Sequence, residues 1–501
     1  MWVFAWRARR SAVLLAVLVF CGCPGGNRPV PVLPVESRES TPSPADAAPQ
    51  RLQFKDHNLV FVSFDALQAA HVGSYGYHRD VTPTIDAFAR SGYRFTRVNS
   101  VASWTVPSSM TWFTGVYPCE HRMTNKFAEY NQLVQRPANL KELSPNLVTL
   151  AEVLRQAGYA TGGFTGNAGV SGGFGYEQGF DRYFYEPGKF GGFDVSLPMA
   201  IEWSKANKDR NFFLFLHGYD CHGQFVPKEE FDGRFVEPGY SGRFRGTAQE
   251  QELLREEGLE LGALPLPDAD VRFWRAIYDE KIQRADERFQ RFLKEFEKLG
   301  LMDKTIFVLT SDHGTELYEH RRFDHGFTLY DEQLHVPLVV KLPGQREGRT
   351  VVDRVSSIDL MPTLLDLLEV DPGPARGQLR GTSLVPAMRG EPANRDCFSE
   401  TDYREYTFKR AIVKPDGWKL IVTLESQTRE LYDLNTDPEE KHNRAESEPG
   451  RVRELEADLY AHFRSIGHDL KLRNWTVGLN PVYKSQAEPR KINSTRPKTR
   501  H

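Results

Sequence analysis

The sequence predicts an α/β fold with a large, mainly parallel sheet sandwiched by helices, followed by a small C-terminal α+β subdomain with antiparallel strands. Short, very apolar segments alternate with amphipathic segments through most of the chain, as expected for parallel strands that are covered on both faces. The chain has 501 residues, of which 40% are apolar, so it can bury a sizeable core and is too long for one small domain.

The individual elements follow from apolar runs and helical periodicity. In the large sheet we predict strands at 58–64, 159–165, 212–216 and 304–310. Helices are predicted at 84–91, 146–157, 269–299 and 358–368, with a loop rich in Ser, Thr and Trp after the first of them. Near the C-terminus we predict short antiparallel strands at 408–413, 418–423 and 430–434, and a closing helix at 452–466.

The N-terminus has the pattern of an exported protein. Three Arg residues precede an apolar run at 12–20, which is too short to cross a bilayer as a helix and is typical of a signal peptide over 1–22. The segment resembles a bacterial lipoprotein signal, which implies lipid attachment at Cys23, after Gly22; ordinary cleavage nearby, releasing a soluble protein, is the alternative. Residues 23–51 are rich in Pro, Ser and Ala and predict an extended tether. We therefore expect a membrane-anchored lipoprotein facing the periplasm or the cell surface.

Charge and cysteine content exclude two broad classes of protein. The chain has 64 Lys and Arg against 67 Asp and Glu, whereas a general nucleic-acid binder is strongly basic, so we expect no nucleic-acid partner. Positive charge is concentrated only in a basic tail at 476–501, which we expect to be solvated. Five cysteines do not make a disulfide scaffold, and at least one of Cys119, Cys221 and Cys397 is unpaired within the chain.

Acids and imidazoles follow three of the predicted strands. Asp65 ends the first strand, His217 and Asp220 follow the strand at 212–216, and Asp312 with His313 follows the strand at 304–310. Ligands of parallel sheets bind at the carboxyl ends of the strands. An Asp–His pair suits Zn²⁺ or Mn²⁺ and does not exclude Mg²⁺ or Ca²⁺, although such a pair can also be a plain loop contact. The pattern favours a divalent metal site at this edge.

A series of ordered motifs resembles the sulfatase family of the alkaline phosphatase superfamily. The motifs are Asn58-Leu-Val-Phe-Val-Ser-Phe-Asp, Thr105-Val-Pro-Ser-Ser, Thr114-Gly-Val-Tyr-Pro, Ser311-Asp-His-Gly-Thr-Glu-Leu-Tyr-Glu-His, Asp324-His-Gly-Phe-Thr-Leu-Tyr-Asp-Glu and Glu430-Leu-Tyr-Asp-Leu-Asn-Thr-Asp-Pro-Glu-Glu. The resemblance covers most of the chain. It implies an alkaline phosphatase/sulfatase-like catalytic domain at 52–395 and a C-terminal subdomain at 396–475.

The resemblance also implies a metal centre with an attacking oxygen. Asp65, Asp312 and His313 match metal ligands, and Thr105 stands at the nucleophile position, where its hydroxyl would also contact the metal. Many sulfatases have a second Asp where this chain has Ala66. The remaining set resembles the single-metal site of phosphoglycerol transferases in the same superfamily.

Five further positions are implied by the same resemblance. His222 matches a family His that contacts the substrate group or protonates the leaving oxygen. His325 lies where many sulfatases carry a substrate-binding Lys, and an imidazole there could bind a substrate oxygen or a second metal. Substrate-binding candidates are Asn125, Ser109 and Asn167, and a purely structural role is the alternative at each of these positions.

The residue at the nucleophile position departs from the sulfatase pattern. Sulfatases convert a Cys or Ser to formylglycine, guided by an Arg four residues later, whereas this chain has Thr105 and Ser109. We therefore expect no formylglycine and a direct Thr nucleophile. The resemblance implies a hydrolase of sulfate or phosphate esters with a divalent ion (Ca²⁺, Mg²⁺, Mn²⁺ or Zn²⁺), acting on a sulfated or phosphorylated small molecule, glycan or lipid. The alternatives are a phosphodiesterase or phosphoglycerol transferase, or a catalytically silent surface-binding protein. No role is assigned to His71, His217, His320 or His335.

Overall fold

The computed structural model of the protein describes residues 52–124, 143–166, 168–172, 175–185, 191–223, 231–403 and 407–472. The predictions made for Cys23, Asn125 and Asn167, and those for the signal peptide, the tether and the basic tail, lie outside these residues. Within the described ranges, no helix combines the length and the apolar composition needed to cross a membrane.

The large sheet is mixed and mainly parallel, as predicted. In the described part of the chain it contains eight strands: β1 (Asn58–Phe64), β2 (Tyr93–Asn99), β3 (Ala160–Thr165), β4 (Arg182–Tyr185), β5 (Phe212–Gly218), β6 (Thr305–Ser311), β9 (Leu338–Lys341) and β10 (Arg349–Ser356). A separate two-stranded ribbon pairs β7 (Glu316–Leu317) with β8 (Phe323–Asp324). The order across the large sheet is β10-β2-β9-β6-β1-β5-β3-β4. Only β9 runs antiparallel to its neighbours there, so β5, β1 and β6 end side by side at one edge.

Helices cover both faces of this sheet. They are α1 (Pro83–Ala89), α2 (Thr105–Thr114), α3 (Pro118–His121), α4 (Leu150–Gln156), α5 (Phe193–Ala206), α6 (Ala248–Leu261), α7 (Asp268–Lys298), α8 (Asp331–Leu334), α9 (Leu360–Leu367) and α10 (Val385–Met388). Successive residues of a strand point to opposite faces. Phe61 of β1 accordingly joins the core that contains α2, α4 and α9, whereas Val60 and Val62 join the core that contains α1, α5 and α7.

Helix α2 and strand β2 correct the prediction of a loop rich in Ser, Thr and Trp. Three of the Ser and Thr hydroxyls of α2 donate to backbone carbonyls one turn back, namely Ser109 to Thr105, Thr111 to Pro107 and Thr114 to Met110, so they do not break the helix. Pro107 is tolerated because it lies in the first turn, where a backbone N–H needs no helical partner. All ten residues of α2 are buried.

The predicted bounds of some other helices and strands were wrong by a few residues. The helix predicted at 146–157 begins only at Leu150, because the Thr149 side chain accepts from the backbone N–H of Glu152 and caps the helix there. Strands β9 and β10, and a further strand at Cys397–Tyr403, were not predicted, since their short segments have no strong alternation. The cysteines Cys119, Cys221 and Cys397 are all free.

The C-terminal part contains an antiparallel sheet, as predicted. Its order is β11-β12-β13-β14, with strands β11 (Cys397–Tyr403), β12 (Thr407–Val413), β13 (Trp418–Thr423) and β14 (Thr428–Asp433). Helix α11 (Pro449–Ser465) packs on it through its buried apolar side chains Leu455, Leu459 and Phe463. The limits of the two predicted domains, at 395 and 475, stay a prediction.

The centre of the large sheet depends on aromatic packing, and we expect Phe215→Ala to destabilise the protein strongly. Phe215 of β5 is fully buried, with its ring centroid 4.9 Å from that of Phe113 and 5.8 Å from that of Phe61. Removing it leaves a cavity and lowers the free energy of unfolding by about 3–5 kcal/mol in urea titrations. Leu253→Ala, at a side chain that is 60% exposed, is the control and changes it by less than about 0.5 kcal/mol. Equal losses in the two variants would contradict this account of the core.

Candidate active site

Three neighbouring strands deliver acids and an imidazole to one point at the carboxyl edge of the large sheet. Asp65 follows β1, His217 lies near the end of β5, and Asp312 follows β6. One ligand atom from each of these side chains lies within 4.8 Å of the other two, and all three residues are fully buried. The parallel register of β5, β1 and β6 therefore forces two carboxylates together in a low-dielectric interior.

The polar atoms of this cluster are only partly satisfied by the protein. Asp312 Oδ1 accepts from the backbone N–H of Ala66 at 3.0 Å and of His313 at 2.9 Å, while its buried Oδ2 accepts no hydrogen bond. His217 Nδ1 lies 3.1 Å from Ser63 Oγ; its Nε2 makes no hydrogen bond and lies 3.4 Å from Asp65 Oδ2. Burial, and then the charge of Asp65, raises the pKa of Asp312. These are the features of a site that fits a cation.

Thr105 begins helix α2 and places its hydroxyl between Asp65 and His313. Thr105 Oγ1 lies 3.2 Å from Asp65 Oδ2 and 3.2 Å from His313 Nε2, which in turn is 3.4 Å from Asp312 Oδ2. Neighbouring ligand atoms of a tetrahedral ion with ligand distances of about 2.0–2.1 Å lie about 3.3–3.4 Å apart, so this spacing also fits a divalent ion. The first turn of α2 favours negative charge on the hydroxyl oxygen.

The tautomer of His313 follows from its hydrogen bonds. Its Nδ1 lies 2.6 Å from the carbonyl oxygen of Gly314, which can only accept, so Nδ1 carries the proton. The lone pair of Nε2 therefore points towards Thr105 and Asp312. Burial lowers the pKa of His313, which keeps the ring neutral and able to bind a cation.

His222 and His325 extend the site away from Thr105. The ring centroids of His313 and His325 are 4.3 Å apart, and those of His325 and His222 are 4.9 Å apart. The Asp324 carboxylate lies 2.7 Å from His325 Nδ1, and Arg255 of α6 lies 3.5 Å from the same carboxylate. Burial alone would raise the pKa of Asp324, but His325 and Arg255 outweigh it and hold the pKa far below its usual range.

The structure thus brings together six of the residues singled out from the sequence: Asp65, Thr105, His222, Asp312, His313 and His325. Ser109 is different, because its buried hydroxyl donates to the carbonyl oxygen of Thr105 at 2.5 Å and lies 2.8 Å from the Tyr176 hydroxyl. It holds the first turn of α2, and its substrate-binding role stays a prediction.

Three residues of the site were missed in the sequence. His217 was assigned no role, although its place at a strand end beside Asp65 was a usable signal. Asp324 stands next to His325 in the quoted motif, which was also a usable signal, whereas Arg255 gave none, since its contact with Asp324 joins segments far apart in the chain.

Family models and a curated relative match large parts of this chain. A family model described as Sulfatase matches residues 57–370. A second, described as N-sulphoglucosamine sulphohydrolase, C-terminal, matches residues 318–466. An N-acetylglucosamine-6-O-sulfatase of Bacteroides thetaiotaomicron is 26% identical, over 79% of this chain and 84% of that protein.

Solved structures share the fold at lower identity. A structure in complex with its substrate D-glucosamine-2-N,6-O-disulfate has a TM-score of 0.65 at 21% identity, covering 82% of this chain and 98% of that one. A phosphonate monoester hydrolase of Agrobacterium radiobacter has a TM-score of 0.62 at 20% identity, covering 82% and 96%. Both confirm the predicted fold class.

The strain of the buried carboxylates predicts that Asp312→Asn stabilises the metal-free protein. A carboxyl group whose pKa is raised by folding contributes stability only while it is protonated, and this contribution is lost as the pH rises from the unfolded-state pKa through the folded-state pKa. At neutral pH, well above the unfolded-state pKa, the buried carboxyl group of Asp312 therefore costs stability, and the amide keeps the Oδ1 acceptor without an ionisable group. In chelator-treated protein at pH 7 we expect the variant to melt a few degrees higher.

The matched control is Asp303→Asn, at an exposed acid that pairs with Arg346, which we expect to leave the melting temperature nearly unchanged. A lower melting temperature in the metal-free Asp312→Asn variant would show that the ionised carboxylate is already compensated by the protein.

Proposed function

Because this chain belongs to the sulfatase family, we propose that it is a metal-dependent hydrolase in which the Thr105 hydroxyl attacks the sulfur or phosphorus of a sulfate or phosphate ester. The observation that carries the proposal is the position of Thr105 Oγ1, 3.2 Å from both Asp65 Oδ2 and His313 Nε2 at the N-terminus of α2. Thr105 is only 7% exposed to solvent, so little water competes for its hydroxyl.

The divalent ion would be held by Asp65, Asp312, His313 and the Thr105 hydroxyl. Ala66 stands where many sulfatases have a second Asp, and His217 is available as a further ligand. When bound, the ion lowers the pKa of the Thr hydroxyl and stabilises negative charge on the transferred group. Mixed carboxylate and imidazole donors suit Zn²⁺ or Mn²⁺ best.

The side chains around Thr105 orient the nucleophile, transfer protons and bind the substrate. Asp65 Oδ2 accepts the hydrogen bond of the Thr105 hydroxyl, orients it for attack, and takes its proton as the new oxygen–sulfur or oxygen–phosphorus bond forms. His222 gives a proton to the leaving alcohol oxygen, and in its neutral form then activates the water that hydrolyses the Thr ester. His325, held by Asp324, donates a hydrogen bond to a non-bridging oxygen of the substrate.

The substrate class we propose is a sulfated or phosphorylated carbohydrate. Two similar proteins support this proposal: one relative is an N-acetylglucosamine-6-O-sulfatase, and one structural neighbour is in complex with a disulfated glucosamine. A direct Thr nucleophile equally suits phosphate-type esters, and the phosphonate monoester hydrolase among the structural neighbours favours testing them. The N-terminal pattern supports the further proposal that the domain acts outside the cytoplasm on a lipid anchor.

Removing the attacking oxygen tests the proposal directly. We expect Thr105→Ala to lower kcat on aryl sulfate, aryl phosphate or phosphonate monoester substrates by at least about 10³-fold, and Thr105→Ser to retain activity. Thr114→Ala is the control, because it removes a buried hydroxyl of the same helix that donates to Met110 instead of the site.

The pattern across substrates separates the alternatives. If Thr105→Ala loses turnover of the phosphate-type esters only, the protein is the phosphodiesterase or transferase of the alternative. If the variant loses turnover of the sulfate ester, the protein is a sulfatase. If wild-type turnover on all three substrates equalled that of Thr105→Ala, the protein would be the catalytically silent binder and the proposal would be wrong.

A second prediction concerns the proton donor. If His222 protonates the leaving oxygen, the loss of kcat in His222→Gln grows with the pKa of the leaving alcohol. We expect a small loss with nitrophenyl esters and a loss of about 10²- to 10⁴-fold with sugar esters. His78→Gln, at an exposed His, serves as the control. An equal loss for all leaving groups would assign His222 to binding alone.

A further inference from the structure

A second buried cluster of ligand-type side chains lies on the two-stranded ribbon that leaves the active site. Ligand atoms of Glu316, His320 and Glu332 all lie within 4.8 Å of one another. Glu316 opens the ribbon as part of β7 and pairs in register with Asp324 of β8, which holds His325. Glu332 comes from α8.

Glu316 presents an unsatisfied carboxylate oxygen to the interior. The residue is fully buried, and its Oε1 accepts from the backbone N–H groups of His320 at 3.0 Å and Arg322 at 2.9 Å. Its Oε2 is buried and accepts no hydrogen bond. Burial, and then the charge of Glu332, raises the pKa of Glu316 to about 8 even though Arg322 lowers it. The protein alone thus leaves an acidic group without adequate compensation.

The tautomer of His320 suits a cation at this point. Its Nε2 lies 3.1 Å from the backbone carbonyl oxygen of Glu440, which can only accept, so Nε2 carries a proton. Nδ1 lies 2.6 Å from Glu332 Oε1, so the two atoms share a proton in a hydrogen bond, and a cation bound by both side chains would displace that proton. A backbone carbonyl that fixes the outer nitrogen of a ligating His is the usual support of a metal site. The ring is also stacked on Tyr330, with centroids 3.7 Å apart.

The neighbouring acids already have a cation of their own. Lys419 Nζ lies 2.9 Å from Glu440 Oε1 and 2.8 Å from Asp331 Oδ1. Lys419 is thus engaged with those two carboxylates, and among the described residues no Lys or Arg side chain forms an ion pair with Glu316 or Glu332.

We propose that Glu316, His320 and Glu332 bind a second, structural divalent cation of the Zn²⁺ type, separate from the ion at Asp65 and Asp312. Two carboxylate oxygens and one imidazole nitrogen match Zn²⁺ ligands, and a water reaching the His320 side chain, which is 14% exposed, can complete four-coordination. The ion would tie the β7–β8 ribbon to α8 and so steady Asp324 and His325. This proposal is independent of the reaction proposed for Thr105.

The experiment uses the full chain carrying Asp312→Asn, which weakens the first site. After equilibration with Zn²⁺ and gel filtration, bound zinc is counted by mass spectrometry and the melting temperature is measured with and without Zn²⁺. Adding Glu316→Gln is expected to remove one equivalent of zinc and to abolish most of the rise in melting temperature caused by Zn²⁺. Adding Glu295→Gln, at an exposed acid that pairs with Lys298, is the matched control and is expected to change neither.

A second variant covers the case in which Glu316→Gln fails to fold. His320→Gln removes the imidazole ligand and is expected to cause the same loss of one equivalent. If zinc content and the Zn²⁺-dependent rise are the same with and without Glu316→Gln or His320→Gln, Glu316 is simply protonated in the fold and the proposal is overturned. Failure of Thr105 to support turnover would leave this result unaffected.

Discussion

The carboxylates of Asp65 and Asp312 are held together at the ends of adjoining parallel strands, and the other side chains of the candidate active site are arranged around this pair. Their burial costs free energy that the backbone N–H groups of Ala66 and His313 only partly offset. A bound cation would offset this cost, which explains why the Nε2 atom of His217, which makes no hydrogen bond, and the Thr105 hydroxyl converge there. The sheet, with its aromatic and aliphatic core on both faces, supplies the rigidity that keeps like charges together.

The ribbon β7–β8 connects this centre with the second acidic cluster. Glu316 and Asp324 face each other across the ribbon, Asp324 holds His325, and His320 lies in the segment that joins the two strands. Three non-glycine residues in or beside it, Tyr318, Arg321 and Asp324, have left-handed backbone conformations, which short loops keep only when their surroundings hold them. A cation at Glu316 would therefore stiffen the segment that positions His325.

The sequence predicted the fold class, the sulfatase family and a sulfatase-like ester hydrolase, because β1, β5, β6 and the long helix α7 carry strong apolar patterns and the motifs at Asp65, Thr105 and Asp312 are ordered along the chain. It did not predict α2, whose Ser and Thr residues signal a loop until their hydroxyls bond to carbonyls one turn back. Arg255 could not be predicted, since only tertiary folding brings α6 onto the ribbon.

The central claim is that the encoded Thr105, without conversion to a carbonyl group, attacks the ester. Mass spectrometry of the peptide containing Thr105, taken before substrate is added and after acid quenching during turnover, tests it most directly. We expect an unmodified Thr in the resting protein and, during turnover, a fraction of the protein that carries one sulfuryl or phosphoryl group on that residue. A resting Thr105 that has lost two hydrogens, or turnover that never labels Thr105, would contradict direct attack by its hydroxyl.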